Sequence, residues 1–224
     1  MSQDYTEARR DVIAYCHRMQ AEHLVYSTAG NVSVRIDGEL IAMTPTSFPY
    51  DALEPEDVCI VNTAGDVIDG RREPTSELPL HTLVYARRPE VGAIIHTHSP
   101  YAMTMAVLGW DLPPILTGLV EAVGGDVRNA PYSRPTTAEM ADLTADALTD
   151  RGACFMRHHG LLAVGADLRH AFLAASVTEG AAKVYLDARV HQPEVPELTA
   201  EDVAWIAEWW QEQWPVAARA RATA

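Results

Sequence analysis

An apolar run that ends in alternating histidines, Ala93-Ile94-Ile95-His96-Thr97-His98, constrains this 224-residue chain more than any other stretch. Residues two apart on a strand project to the same side, so one strand face carries both imidazoles. Two surface histidines on an edge strand are the ordinary alternative. A strand this apolar is buried, however, and two buried rings need partners for their nitrogens. A shared metal ion satisfies both. Upstream, Pro74-Thr75-Ser76-Glu77-Leu78-Pro79-Leu80-His81 sets the Glu77 carboxylate at the start of a short helix. Leu80, Leu83 and Val84 follow at helical spacing. A third imidazole comes from His158-His159-Gly160, at the end of another short apolar run. Spacing alone does not choose between His158 and His159. Three neutral nitrogens with an oxygen ligand or an open position make a catalytic zinc set.

The length suits one domain with a sizeable core, assigned here to residues 1–216, with 217–224 expected as a disordered tail. No apolar run is long enough to cross a bilayer, and the first residues lack the basic and apolar regions of a signal peptide. Cys16, Cys59 and Cys154 are far apart with apolar flanks, so they read as core residues in a reducing cytoplasm. A formal net charge of −14 argues against nucleic acid or an anionic membrane as partner. It leaves room for a small anion held by backbone N–H groups and hydroxyls.

Candidate anion loops are present. Ser27-Thr28-Ala29-Gly30-Asn31 precedes a hairpin of strands around Val32–Arg35 and Leu40–Met43, turned by Asp37-Gly38. Thr44-Pro45-Thr46-Ser47 follows the second strand. Thr75-Ser76 lies just before the Glu77 helix, where hydroxyls serve as N-caps. Each has an ordinary turn or cap as its bland reading. If the three converge, they form a phosphate site without a basic residue. Elsewhere the pattern predicts helices from Glu7 to about Leu24, over Pro100–Leu108, from a capping box at Thr136-Thr137-Ala138-Glu139, over 167–188, and from a cap at Thr199. The last carries Trp205 and Trp209 on one face and Trp210 and Trp214 on an adjacent one, which implies docking on a core or a partner. Glu121, alone in an apolar run, is read as solvent-facing rather than as a second active-site carboxylate.

Thr28-Ala29-Gly30-Asn31-Val32-Ser33-Val34-Arg35, Thr44-Pro45-Thr46-Ser47, Pro74-Thr75-Ser76-Glu77, His96-Thr97-His98 and His158-His159-Gly160-Leu161 occur in the order found in the class II aldolase/adducin family. The chain resembles that family from its first helix to about Tyr185, and within it the L-fuculose-phosphate aldolase branch. The resemblance implies an α/β fold, a three-layer α/β/α sandwich around a mostly antiparallel central sheet. It implies a homotetramer with active sites at subunit interfaces. It implies Zn²⁺, or another divalent transition metal, on His96, His98 and His159, the histidine before the glycine. Glu77 is then the fourth ligand at rest and the general base in turnover. Thr28, Gly30, Asn31, Thr46, Ser47, Thr75 and Ser76 surround the phosphate of a sugar substrate.

The implied reaction is reversible cleavage of a ketose 1-phosphate, such as L-fuculose 1-phosphate, to dihydroxyacetone phosphate and a small aldehyde through a zinc-stabilised enediolate. Lys183 is the only lysine, so Schiff-base chemistry is not expected. Fuculose-phosphate aldolases carry a tyrosine on the aldehyde side before the glycine pair and another in the C-terminal tail. Here Leu116–Glu121 has no tyrosine, and the region after Pro196 has tryptophans instead. The alternatives are a related lyase or epimerase, namely a sugar-acid phosphate decarboxylase or a pentulose-phosphate 4-epimerase. A decarboxylase needs a carboxylate site, for which Arg134 and Arg157 are candidates. A metal-stabilised binding domain is the alternative of another class.

Overall fold

The structure is a computed structural model that describes residues 5–214; the expected tail at 217–224 lies outside them. It opens with helix α1, Thr6–Ala21. The helix stops short of Leu24, with His23 in the left-handed region at φ 56°. The hairpin strands β1 (Asn31–Arg35) and β2 (Leu40–Met43) follow as the alternation predicts, then β3 (Cys59–Asn62) and β4 (Val67–Asp69). Helix α2 (Leu78–Arg87) leads to β5 (Ala93–Thr97), the histidine strand, and directly to α3 (Pro100–Leu108). Then come α4 (Thr117–Val123), β6 (Arg128–Ala130), α5 (Ala138–Leu148), β7 (Ala153–Met156) and β8 (Gly160–Gly165). Helices α6 (Leu168–His191) and α7 (Ala200–Glu212) close the described chain.

The strands form one eight-stranded sheet in the order β4-β3-β2-β1-β5-β8-β7-β6. Every pairing is antiparallel except β6 with β7, so the sheet is mixed and mostly antiparallel. Side-chain alternation divides the core in two. Val32, Ala42, Ile60, Ile95, Phe155 and Leu161 join one apolar cluster with residues of α1, α3, α4 and α6. Ile41, Met43, Val61, Ile94, Cys154 and Leu162 join another with residues of α2, α5 and α7. All three cysteines are buried and unpaired. No helix among the described residues is long and apolar enough to cross a membrane.

Two expected caps move. Thr137, not Thr136, caps α5: its hydroxyl accepts from Met140 N at 3.2 Å, while Ser133 Oγ donates to Glu139 at 2.6 Å. Glu77, not Thr75 or Ser76, is the N-cap residue of α2, and its side chain makes no cap bond. That carboxylate points elsewhere. The four tryptophans divide as their spacing requires. Trp210 and Trp214 are buried, with Trp210 packed against Gly124 and Gly152. Trp205 and Trp209 stay exposed.

Candidate active site

The centre of the sheet carries the site. His96 lies opposite Asn31 in the β5–β1 register and opposite Leu162 on β8. His98 follows the end of β5, and His159 precedes β8. Adjacent antiparallel strands thus bring the third imidazole to the first two. The ligand nitrogens of His96, His98 and His159 lie within 4.8 Å of one another. His96 Nε2 is 2.8 Å from His98 Nε2. Glu77, from the N-terminal end of α2, reaches the same point. Its Oε2 is 3.5 Å from His96 Nε2 and its Oε1 3.4 Å from His159 Nε2.

His158 takes no part. Its backbone is left-handed at φ 55°, and its ring meets the edge of Tyr132. A Cβ on Gly160 would fall 2.3 Å from Thr97 O, with the His98 and His96 rings 3.1 and 3.2 Å away. Only glycine lets β8 approach closely enough to deliver His159.

The protonation pattern fits a cation. A carbonyl oxygen can only accept, so His96 Nδ1–H donates to Leu161 O at 2.9 Å. This leaves a lone pair on Nε2, aimed at the cluster. Burial, and then the neighbouring imidazoles, hold His96 well below the ordinary histidine range. His98 is lowered by the same causes. Both rings therefore stay neutral, as metal ligation requires. Metal–nitrogen lengths of roughly 2.0–2.1 Å imply ligand separations of roughly 3.3 Å at a tetrahedral ion. The contacts from Glu77 match this, and the His96–His98 pair is tighter. Three imidazole nitrogens and a carboxylate, converging without a lysine or arginine, suit a divalent transition metal.

The predicted anion loops open onto the same point. Thr28, Gly30, Asn31, Thr46, Ser47, Thr75 and Ser76 line a cleft of about 170 Å³ together with Glu77, His96, His98 and His159. Gly30 is the pivot of the first loop. Its φ is +79°, and a Cβ there would lie 2.6 Å from His96 O. Tyr50 O–H donates to Gly30 O at 2.7 Å and pins that loop. Asn31 serves two neighbours. Its Nδ2 donates to Glu77 Oε2 at 3.0 Å, and its Oδ1 lies 2.6 Å from His81 Nε2.

Pro45, Pro135 and Thr136 also line the cleft. Sequence reasoning did not single them out as site residues. The left-handed Thr136, at φ 65°, is preceded by a proline, and that pairing is the only local signal. Glu121 is exposed on α4. Neither Arg134 nor Arg157 lines the cleft, and the Arg157 guanidinium packs against Gly109. Lys183 Nζ sits over the Tyr101 ring, also away from the cleft.

Residues 10–186 match the family model described as Class II Aldolase and Adducin N-terminal domain. A 5-deoxy-D-ribulose 1-phosphate aldolase of Bacillus thuringiensis serovar kurstaki is 38% identical over 200 residues, covering 88% of this chain and 93% of that protein. A 5-methylthioribulose-1-phosphate/5-deoxyribulose-1-phosphate aldolase of Rhodospirillum rubrum is 35% identical over 182 residues, covering 81% of this chain and 80% of that protein. Among solved structures, an L-fuculose 1-phosphate aldolase superposes with a TM-score of 0.89 at 31% identity, covering 94% of this chain and 98% of that one.

Proposed function

This chain belongs to the class II aldolase and adducin family, and on that premise we propose that it is a metal-dependent aldolase of deoxy-ketose 1-phosphates. The observation that carries the reading is the single cleft shared by the histidine triad, Glu77 and the hydroxyl loops. An aldolase needs those parts together: an electrophile, a proton-transfer group and a phosphate anchor. His96, His98 and His159 would hold the metal, with Glu77 as fourth ligand at rest. Zn²⁺ fits the donor set, and another divalent transition metal would serve. When bound, the metal polarises the substrate carbonyl and disperses the charge left by C–C cleavage.

The remaining work falls to the chain itself. Thr28, Gly30, Asn31, Thr46, Ser47, Thr75 and Ser76 hold the phosphate through hydroxyls and backbone amides. The N-terminal end of α2 adds a favourable dipole. Glu77, displaced toward the substrate, would take the proton of the hydroxyl on the carbon that becomes the aldehyde, deliver it to the carbon left behind as the bond breaks, and run the same relay backwards in the aldol direction. Glu77 is only 5% exposed but lines the cleft, so it faces the substrate carbon and still exchanges its proton with solvent when the cleft is open.

Two relatives whose names specify a 5-deoxyribulose phosphate favour a five-carbon substrate. Cleavage between C3 and C4 of such a ketose yields dihydroxyacetone phosphate and acetaldehyde. This aldehyde has no hydroxyl for a tyrosine to hold, consistent with the tyrosines missing from Leu116–Glu121 and from the region after Pro196. The helices on both sheet faces support a three-layer α/β/α arrangement. We read the enzyme as a cytoplasmic homotetramer with its sites at subunit interfaces.

The test is proton exchange at the hydroxymethyl carbon of dihydroxyacetone phosphate in D₂O, followed by NMR. Metal-loaded protein is expected to exchange, chelator-treated protein to stop, and Glu77→Gln to retain metal while slowing exchange roughly 10²- to 10⁴-fold. Full exchange in Glu77→Gln would remove Glu77 as the base. No exchange by folded, metal-loaded protein would move the assignment to an epimerase or decarboxylase.

A further inference from the structure

A chain of buried polar groups runs from the cleft between α2 and β1. Glu77, His81 and Tyr85 are spaced by four, so they share one helix face. Asn31 and Ser33 are spaced by two, so they share one strand face. Four helical residues rise about 6 Å and two strand residues about 6.6 Å. The two series therefore mesh. Asn31 Nδ2 meets Glu77 Oε2 at 3.0 Å, and Asn31 Oδ1 meets His81 Nε2 at 2.6 Å. His81 Nδ1 meets Ser33 Oγ at 2.7 Å, and Ser33 Oγ meets Tyr85 Oη at 2.9 Å. None of the five residues is more than 5% exposed.

The carboxylate sets the direction of the whole chain. It can only accept, so Asn31 turns its amide nitrogen toward Glu77. Asn31 Oδ1 then faces His81, whose Nε2 must carry the hydrogen. Nδ1 is left bare and accepts from Ser33 O–H, whose oxygen accepts from Tyr85 O–H. Every donor points toward Glu77. Without the His81 Nε2–H, Asn31 Oδ1 loses its buried partner, and the contact with the carboxylate alone is left to hold the amide in place. Burying five polar groups between a helix and a sheet stabilises the fold little compared with apolar packing. Their alignment on one carboxylate gives them a different use.

We propose that His81, Ser33 and Tyr85 are positioning residues for Glu77: they fix the face of the Asn31 amide and thereby hold the Glu77 carboxylate between His96 and His159. The assignment rests on Glu77 as the proton-transferring group.

The first arm of the test does not depend on activity. Imidazole ¹⁵N NMR of histidine-labelled, metal-loaded protein, with the His81 signal identified by its loss in His81→Gln, is expected to show a neutral ring with the hydrogen on Nε2 and a bare Nδ1. The opposite tautomer, or a rapidly averaging pair, overturns the proposal. The second arm compares His81→Leu with His81→Gln, which keeps an N–H near the Nε2 position. His81→Leu is expected to slow exchange of dihydroxyacetone phosphate roughly ten- to a hundredfold with KM within about twofold of wild type. His81→Gln is expected to recover most of the rate. A wild-type rate in His81→Leu, or a loss that His81→Gln does not repair, overturns the proposal. If His81→Leu fails to melt cooperatively, Ser33→Ala and Tyr85→Phe replace it, with a smaller fall in kcat at constant KM expected and an unchanged kcat against the proposal. Wild-type exchange in Glu77→Gln would instead remove the base assignment, while the tautomer result would still stand for the hydrogen-bond chain itself.

Discussion

His96 Nε2 and His98 Nε2 lie 2.8 Å apart, and the first of them carries no hydrogen because Nδ1 of the same ring is committed to Leu161 O. A lone pair aimed into a cluster of two further imidazoles and a carboxylate is an arrangement that a cation completes. His159 occupies the third corner and His158 faces away.

Substitution at the triad separates ligand from neighbour. His98→Ala is expected to lose bound metal, and His158→Ala to keep it, in elemental analysis after gel filtration. The wild-type protein should also melt higher when metal is restored. Metal at about a thousand times its dissociation constant stabilises the folded state by about 4 kcal/mol. Retention of metal by His98→Ala would exclude that residue from the ligand set.

Acid is expected to destabilise the metal-free protein before its carboxylates titrate. Burial holds His81 at about 4 against an ordinary value of 6.5. A lowered folded-state value means that the unfolded chain binds more protons, so stability is complete above about pH 6.5 and declines as pH falls toward 4. Between about pH 6.5 and 5, His81 alone accounts for about 2 kcal/mol. His96 and His98, shifted the same way, add to it. Urea unfolding of metal-stripped protein at the two pH values measures the difference, and a flat profile would contradict it.

Gly160→Ala tests the close approach of β8 to β5. The added methyl would collide with Thr97 O, which the strand pairing holds in place. A loss of about 1–3 kcal/mol in urea unfolding is expected, together with weakened metal binding, because the displaced segment begins at His159.

Phosphate anchoring is expected to reside in hydroxyls. Ser76→Ala or Ser47→Ala should raise KM for a 5-deoxyketose 1-phosphate roughly tenfold, the worth of a hydrogen bond to a charged group. The metal content should not change. An unchanged KM in both variants would relocate the phosphate.

The local elements were legible because their signals are local. Alternation in Val32–Arg35 and Leu40–Met43 with Asp37-Gly38 between them marks a hairpin, and it is one. The apolar run at Ala93–Ile95 marks a buried strand, and every residue of β5 is buried. The spacing of the last helix divided its tryptophans correctly. Caps are less legible. Thr136 and Thr137 offer the same hydroxyl one residue apart, and only the path of the backbone decides which one caps. Thr75 and Ser76 looked like caps for α2, but they face the cleft instead.

By itself the sequence determined which side chains could do chemistry: two histidines on one strand face, a carboxylate at a helix start, and hydroxyl loops without a basic residue. Tertiary structure decided which of them meet. It brought the His159 ring into the cluster and turned the His158 ring out, because His158, within the tight β7–β8 connection, is left-handed. It also turned His81 from an unremarked helix residue into the neighbour of Asn31, fifty positions away. No local pattern carries that information, because the match between helix rise and strand rise appears only when α2 lies against β1.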